Sequence, residues 1–132
     1  SDVTQWFIEL QDKYDLYTLW VGYDAWSASY FVDEMNDIVG EGNMIEVRQG
    51  AQTLSQPMQQ LGAKLKSKKV IYNNNPITKW NISNTHVVMD NNGNIKPTKA
   101  RNGERQRIDG LAAMLNAYTV YLAKENEYEG MI

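Results

Sequence analysis

The sequence predicts a single α/β domain spanning residues 1–132. Three observations carry that expectation. Helix-like and strand-like segments alternate with tight connections over the first fifty residues, which is the pattern of parallel strands with crossover helices. Asn92-Gly93, flanked by β-branched and apolar residues, signals a hairpin. A long segment near the end repeats apolar residues at helical spacing. A composition of 42% apolar and 22% charged residues fits an ordinary globular chain able to bury a core.

In "VTQWFIELQDKYD", Val3, Trp6, Phe7 and Leu10 recur at helical spacing, with Asp2 as the expected N-cap. "LYTLWVGY" reads as a buried strand, being short, apolar and rich in aromatic and β-branched residues. "AWSASYFVDEMNDIVGEG" returns to helix, with Ala28, Phe31, Val32, Met35 and Val39 on one face and Gly40 and Gly42 at its end. "NMIEVRQ" is the next strand. "LSQPMQQLGAKLKSKKV" predicts a helix capped by Ser55, with Pro57 in its first turn and Met58, Leu61 and Leu65 inward. "VIYNNNPITKWNISN" reads as a short strand, a turn, and a short helix opened by Pro76 that turns Ile77, Trp80 and Ile82 inward. "THVVMDNNGNIKP" is the hairpin, with a type I′ turn at Asn92-Gly93. "TKARNGERQR" is a polar, basic loop. The final helix is expected from about Glu104 to Glu125, with Ile108, Leu111, Ala112, Leu115, Thr119 and Leu122 as its core stripe.

Several functions are argued against at once. There is no cysteine, hence no disulfide framework and no thiol nucleophile, and any metal is expected on oxygen ligands. No apolar run approaches the roughly 20 residues of a membrane span, and the first residues lack a signal-peptide pattern. "GEGNM" has two glycines of a dinucleotide loop without the third, and no phosphate-binding P-loop is present, which argues against nucleotide hydrolysis within this chain. His86, the single histidine, has no carboxylate or serine beside it and reads as structural. The chain starts without Met and enters a helix at once, as a piece of something longer would.

Charge is strongly segregated despite a net of −3. Residues 1–46 sum to −9, residues 47–107 to +9, and residues 108–132 to −3. The middle segment could neutralise phosphates along one face, although "KLKSKK" equally suits a solvated helix C-terminus.

Two aspartates stand out by position. Asp24 ends an expected parallel strand, the edge at which open α/β sheets bind ligands. Asp109 falls on the flank of the last helix's apolar stripe, which can face the sheet edge. Two carboxylates converging there would repel unless a divalent cation lay between them. Each also has a purely structural reading, Asp24 as a helix cap and Asp109 as a complement to its helix dipole.

The ordered blocks "VGYDAW", "VRQGAQTLSQPMQQL", "NNNPITKWNISN", "VVMDNNGNIKPTKA" and "RQRIDGLAAMLNAY" resemble the nuclease domain of tailed-bacteriophage terminase large subunits over residues 15–122. The resemblance implies a partial ribonuclease H-like fold, a mixed sheet with flanking helices whose C-terminal helix carries an active-site aspartate. It implies an endonuclease that cuts concatemeric double-stranded DNA with two Mg²⁺ or Mn²⁺ ions, Asp24 and Asp109 matching the family's second and third metal-binding aspartates. The first aspartate and the packaging ATPase would then lie outside this sequence, and a Lys-rich run of the family is replaced here by "ARNGERQRIDG". Lys96, Lys99, Arg101, Arg105 and Arg107 become the expected DNA-backbone contacts. The portal and the small terminase subunit are the implied partners, and the host bacterial cytoplasm the implied location, with no membrane involved. Two other readings remain: a non-catalytic DNA-binding or docking module centred on the basic segment, and a related ribonuclease H-like resolvase or integrase.

Overall fold

The computed structural model describes residues 1–27, 29–99 and 106–132. They form two compact units, Ser1–Val47 and Arg48–Ile132. The α/β class and the order of most elements are as the sequence predicts.

The first unit contains helix α1 (Asp2–Tyr14), strand β1 (Val21–Tyr23), a 3-10 turn (Ala25–Ser27), helix α2 (Ser29–Val39) and strand β2 (Met44–Glu46). The strands pair in parallel, Val21 with Met44, Gly22 with Ile45 and Tyr23 with Glu46, so the segment is a β-α-β crossover. Gly40 and Gly42, at φ +90° and +87°, end α2 and turn the chain into β2; their task is left-handed backbone, which glycine adopts without a Cβ clash. Met35 and Val39 of α2 are buried, as is Val47 just after β2.

Three expectations for this unit are revised. The cap of α1 is Ser1, whose Oγ accepts the Thr4 amide at 3.3 Å, rather than Asp2. Val3 and Trp6 are more than half exposed, while Thr4 is buried and its hydroxyl donates to Glu34 of α2. That polar anchor, reinforced by an ion pair from the Ser1 ammonium to Glu34 at 3.2 Å, sets the rotation of α1 on its neighbour. The strand is three residues long instead of the eight of "LYTLWVGY". Asp15 takes left-handed backbone (φ 55°) and closes α1, with its amide bonded to Gln11 O and the Leu16 amide to Leu10 O. Residues 16–20 serve as the connection, and Leu16, Tyr17 and Leu19 are exposed.

The second unit contains helix α3 (Ala51–Lys66), helix α4 (Pro76–Ser83), strands β3 (Thr85–Met89) and β4 (Ile95–Lys99), and helix α5 (Asp109–Glu129). Helix α3 packs against β4 and α5, and α4 packs against α5. Leu54, Leu61, Leu111, Leu115 and Val120 form the core, each adding about 2 kcal/mol by burial.

Here too the polar residues depart from the predicted pattern. Helix α3 starts at Ala51 after Gly50, four residues ahead of the expected cap. Pro57 lies inside it, removing one helical hydrogen bond. Ser55 is buried and caps nothing; its Oγ accepts the Ile95 amide of β4 at 3.0 Å and Gln59 Nε2 at 3.2 Å. No strand forms at "VIY", because Lys68, Asn73 and Asn74 take positive φ (61°, 53° and 53°) and turn the backbone on either side of it. In α4, capped by Asn75 Oδ1, Ile77 and Trp80 are exposed and the buried side chain is Asn81.

The hairpin is antiparallel, in the register Val87 to Pro97. Its turn is not type I′: within it Gly93 has positive φ (+81°), and Asp90 Oδ1 accepts the amides of Asn92 and Asn94, each at 2.9 Å. A type I turn followed by a left-handed glycine is the three-residue alternative. Helix α5 begins at Asp109 rather than near Glu104, and its buried residues include Asn116, whose Oδ1 accepts Gln49 Nε2 at 3.0 Å. Ala28, Arg101, Glu104 and Arg105 lie outside the described residues.

Candidate metal and nucleic-acid site

Asp24 immediately follows β1, where the chain leaves the parallel ladder. The ladder's last bond, from the Val47 amide to Tyr23 O at 2.8 Å, fixes the residue before it. Asp24 is exposed, and its Oδ1 accepts the Trp26 amide at 3.2 Å, so the carboxylate caps the 3-10 turn. The structural reading of Asp24 is therefore correct in part, and the capping side chain remains exposed. Trp26 is 92% exposed beside it, a large aromatic surface that periodicity assigned to neither core nor site.

Asp109 is the first residue of α5 and is exposed. At that position a negative charge gains about 0.3–1 kcal/mol from the helix dipole. Its backbone is held from both sides by α4 and its C-cap residue. Asn81 Oδ1 accepts the Gly110 amide at 3.0 Å, while Asn81 Nδ2 donates to Ile77 O of its own helix at 2.9 Å. Asn84 Nδ2 donates to Arg107 O at 3.0 Å. Both asparagines are 4% exposed. A Cβ on residue 110 would come within 3.3 Å of Asn81 Cγ, so glycine is what lets the start of α5 approach α4 this closely. Asn81 substitutes for the missing N-terminal cap, since Ile108 makes no side-chain capping bond.

Among the expected DNA contacts, Lys96 and Lys99 are exposed on β4 and Arg107 is exposed ahead of α5. Lys96 lies opposite Val88 across the hairpin. None of these three enters an ion pair among the described residues. Arg101 and Arg105 lie outside the described residues. His86 is exposed on β3 opposite Thr98. Among the described residues no three His, Cys, Asp or Glu side chains cluster as a metal centre; Asp24 belongs to the first unit and Asp109 to the second.

The model of the terminase large-subunit endonuclease domain matches residues 7–125. The chain belongs to that family. No curated protein matches it. The crystal structure of the HK97 bacteriophage large terminase superposes on it with a TM-score of 0.73 and 24% identity, covering 90% of this chain. The α/β fold is thus shared with that terminase, the ribonuclease H-like type that the resemblance implies. This chain spans 24% of the HK97 protein's length. No helix among the described residues is long and apolar enough to cross a membrane.

Sequence reasoning singled out Asp24 and Asp109 and passed over Asn81 and Asn84, whose buried amides hold the backbone around Asp109. The signal was available in their i, i+3 spacing within "WNISN", which places both amides on one face of a short helix. Ile77 and Trp80 drew the apolar assignment instead.

Proposed function

We propose that this terminase domain is the metal-dependent endonuclease of a phage DNA-packaging protein and cleaves concatemeric viral double-stranded DNA. Asp24 and Asp109 would each serve as a ligand to Mg²⁺ or Mn²⁺ in two-ion chemistry. The observation that carries the reading is Asp24, an exposed carboxylate directly at the end of a parallel strand in a chain of this family. The donor chemistry fits: hard carboxylate oxygens suit these cations, and neither aspartate is neutralised by an ion pair among the described residues. When bound, the ions supply water activation and charge stabilisation for phosphodiester hydrolysis.

The chain's own residues do the rest. Trp26's amide orients the Asp24 carboxylate, and the α4 asparagines hold the backbone at Asp109. Lys96, Lys99 and Arg107, with Arg101 and Arg105, would neutralise backbone phosphates and give salt-sensitive, sequence-independent affinity. The domain would work within a longer large subunit carrying a packaging ATPase, in the host cytoplasm, alongside the portal and the small subunit.

The test is plasmid cleavage by the complete large-subunit polypeptide with Mn²⁺ or Mg²⁺. Cleavage should require metal and disappear in Asp24→Ala and in Asp109→Ala. Absence of metal-dependent cutting, or undiminished cutting by Asp24→Ala, refutes the assignment. The exposed lysines of β4 favour a second reading, a DNA-docking module without catalysis. Charge reversal at Lys96, Lys99 and Arg101 should then abolish DNA binding in a protein that never cuts, whereas in a nuclease it weakens binding and leaves Mn²⁺ affinity unchanged.

A further inference from the structure

We infer that Asn81 and Asn84 are positioning residues, which tune the metal affinity of Asp109 by clamping the backbone on both sides of it; the inference rests on Asp109 being a metal ligand, as proposed above. A carboxylate on the first residue of a helix is held only as well as that helix end is held. Helix ends fray, and here the adjoining Ile108 supplies no side-chain cap. The stability of this end comes from α4. One buried amide accepts from Gly110, immediately after Asp109, and the other donates to the carbonyl of Arg107, two residues before it.

Three features separate this arrangement from ordinary packing. Both asparagines are 4% exposed, Asn81 within α4 and Asn84 at its C-cap, while the helix's large apolar residues Ile77 and Trp80 face solvent instead. A helix that buries amides in preference to an isoleucine and a tryptophan is oriented by the hydrogen bonds those amides make. Each amide bonds to main chain, so what it fixes is backbone position rather than side-chain identity. Asn81 is further locked by its own donation to Ile77 O, which sets the amide so that oxygen faces Gly110. Gly110 completes the clamp, since any side chain there would meet Asn81 Cγ at 3.3 Å. Asp109 is thereby bracketed within four residues by two fixed points, its carboxylate exposed and unpaired among the described residues.

Groups that orient a ligand typically change metal affinity by about 10–100-fold when removed. The experiment titrates MnCl₂ into the complete large-subunit polypeptide, without nucleotide or DNA, for wild type, Asp109→Ala, Asn81→Ala and Asn84→Ala. Binding is read by calorimetry at a temperature where circular dichroism shows every variant folded. The expected result is a Kd weakened about 10–100-fold in each asparagine variant, and loss of the corresponding binding step in Asp109→Ala. A merely structural role would lower the thermal midpoint of the metal-free protein and leave Kd where it was. Unchanged Kd in folded Asn81→Ala and Asn84→Ala, with binding lost in Asp109→Ala, overturns the positioning role alone. Unchanged Kd in Asp109→Ala overturns the metal assignment itself. Where an asparagine variant fails to fold, Gly110→Ala decides, because it leaves every hydrogen-bonding group in place and displaces Asn81; weakened Mn²⁺ binding supports the clamp, and wild-type binding overturns it.

Discussion

Replacing Ser55 with alanine separates two physical accounts of one residue. As a helix cap, its loss would cost about 1 kcal/mol at the N-terminus of a helix beginning after it. In the fold it sits within α3, 7% exposed, and its hydroxyl accepts the Ile95 amide across a separation of forty residues. Met89 and Ile95 face each other in the hairpin register, and the adjacent pair Asp90 and Asn94 is joined by the Asp90 amide to Asn94 O bond at 2.8 Å. The Ile95 N–H therefore points away from β3 and finds its partner in Ser55. Alanine leaves that donor unsatisfied at a partly buried position, at a cost of about 1–2 kcal/mol. For a chain of 132 residues, an unfolding entropy of about 2.1 cal/mol/K per residue converts this to a fall of roughly 4–7 °C in the thermal midpoint. The decisive assay is amide hydrogen exchange. The Ile95 amide should exchange about 5–30-fold faster in Ser55→Ala, while the amides of the first turn of α3 keep their protection. Unchanged exchange at Ile95, with faster exchange at Gln56 and Met58, would restore the capping account and refute the tether.

Further outcomes follow from the same packing. Leu115 is 1% exposed in the core of the second unit, and Leu115→Ala should lower stability by about 2–5 kcal/mol in denaturant unfolding; a change below 1 kcal/mol would mean the site collapses freely or is not core. Gly93→Ala meets no neighbouring atom but forces alanine to φ +81°, so the hairpin should lose about 1 kcal/mol, seen as faster exchange along β3 and β4. Equal or greater protection would contradict the left-handed turn. Glu34 is held at about 2, against 4.5 ordinarily, by the hydroxyl of Thr4 first and by the N-terminal ammonium. Its folded value lies below its unfolded one, so its stabilisation is present in full above pH 4.5 and lost as the pH falls toward 2. Wild type should melt above Glu34→Gln at neutral pH, with the gap closing through that window; a gap that persists at the acid end sinks the account.

What could be read ahead of the structure was local. The β-α-β order, the glycine stops after α2 and the apolar stripe of α5 at Leu111 and Leu115 all follow from neighbours within one or two helical turns. Asp24 was legible for the same reason, because a strand, an aspartate and a helical segment in succession place the carboxylate at a strand end whatever else the chain does. Polar residues were the ones misjudged. Ser55 reads from sequence as a cap, Thr4, Asn81 and Asn84 carry no periodic signal, and Val3, Trp6, Ile77 and Trp80 sit at apolar helical spacing; in the fold the four polar residues are buried and the four apolar ones exposed.

The sequence by itself determined the α/β class and the family, and it singled out Asp24 and Asp109 as candidates, since periodicity, turn residues and ordered motifs are written along the chain. Tertiary structure alone decided which face of α1 and α4 turns inward and what holds Asp109 in place. A buried hydroxyl or amide is tolerated only where a partner satisfies it. For Thr4, Ser55 and Asn81 those partners, Glu34, Ile95 and Gly110, lie 29 to 40 residues away, a distance at which hydrophobic periodicity carries no information.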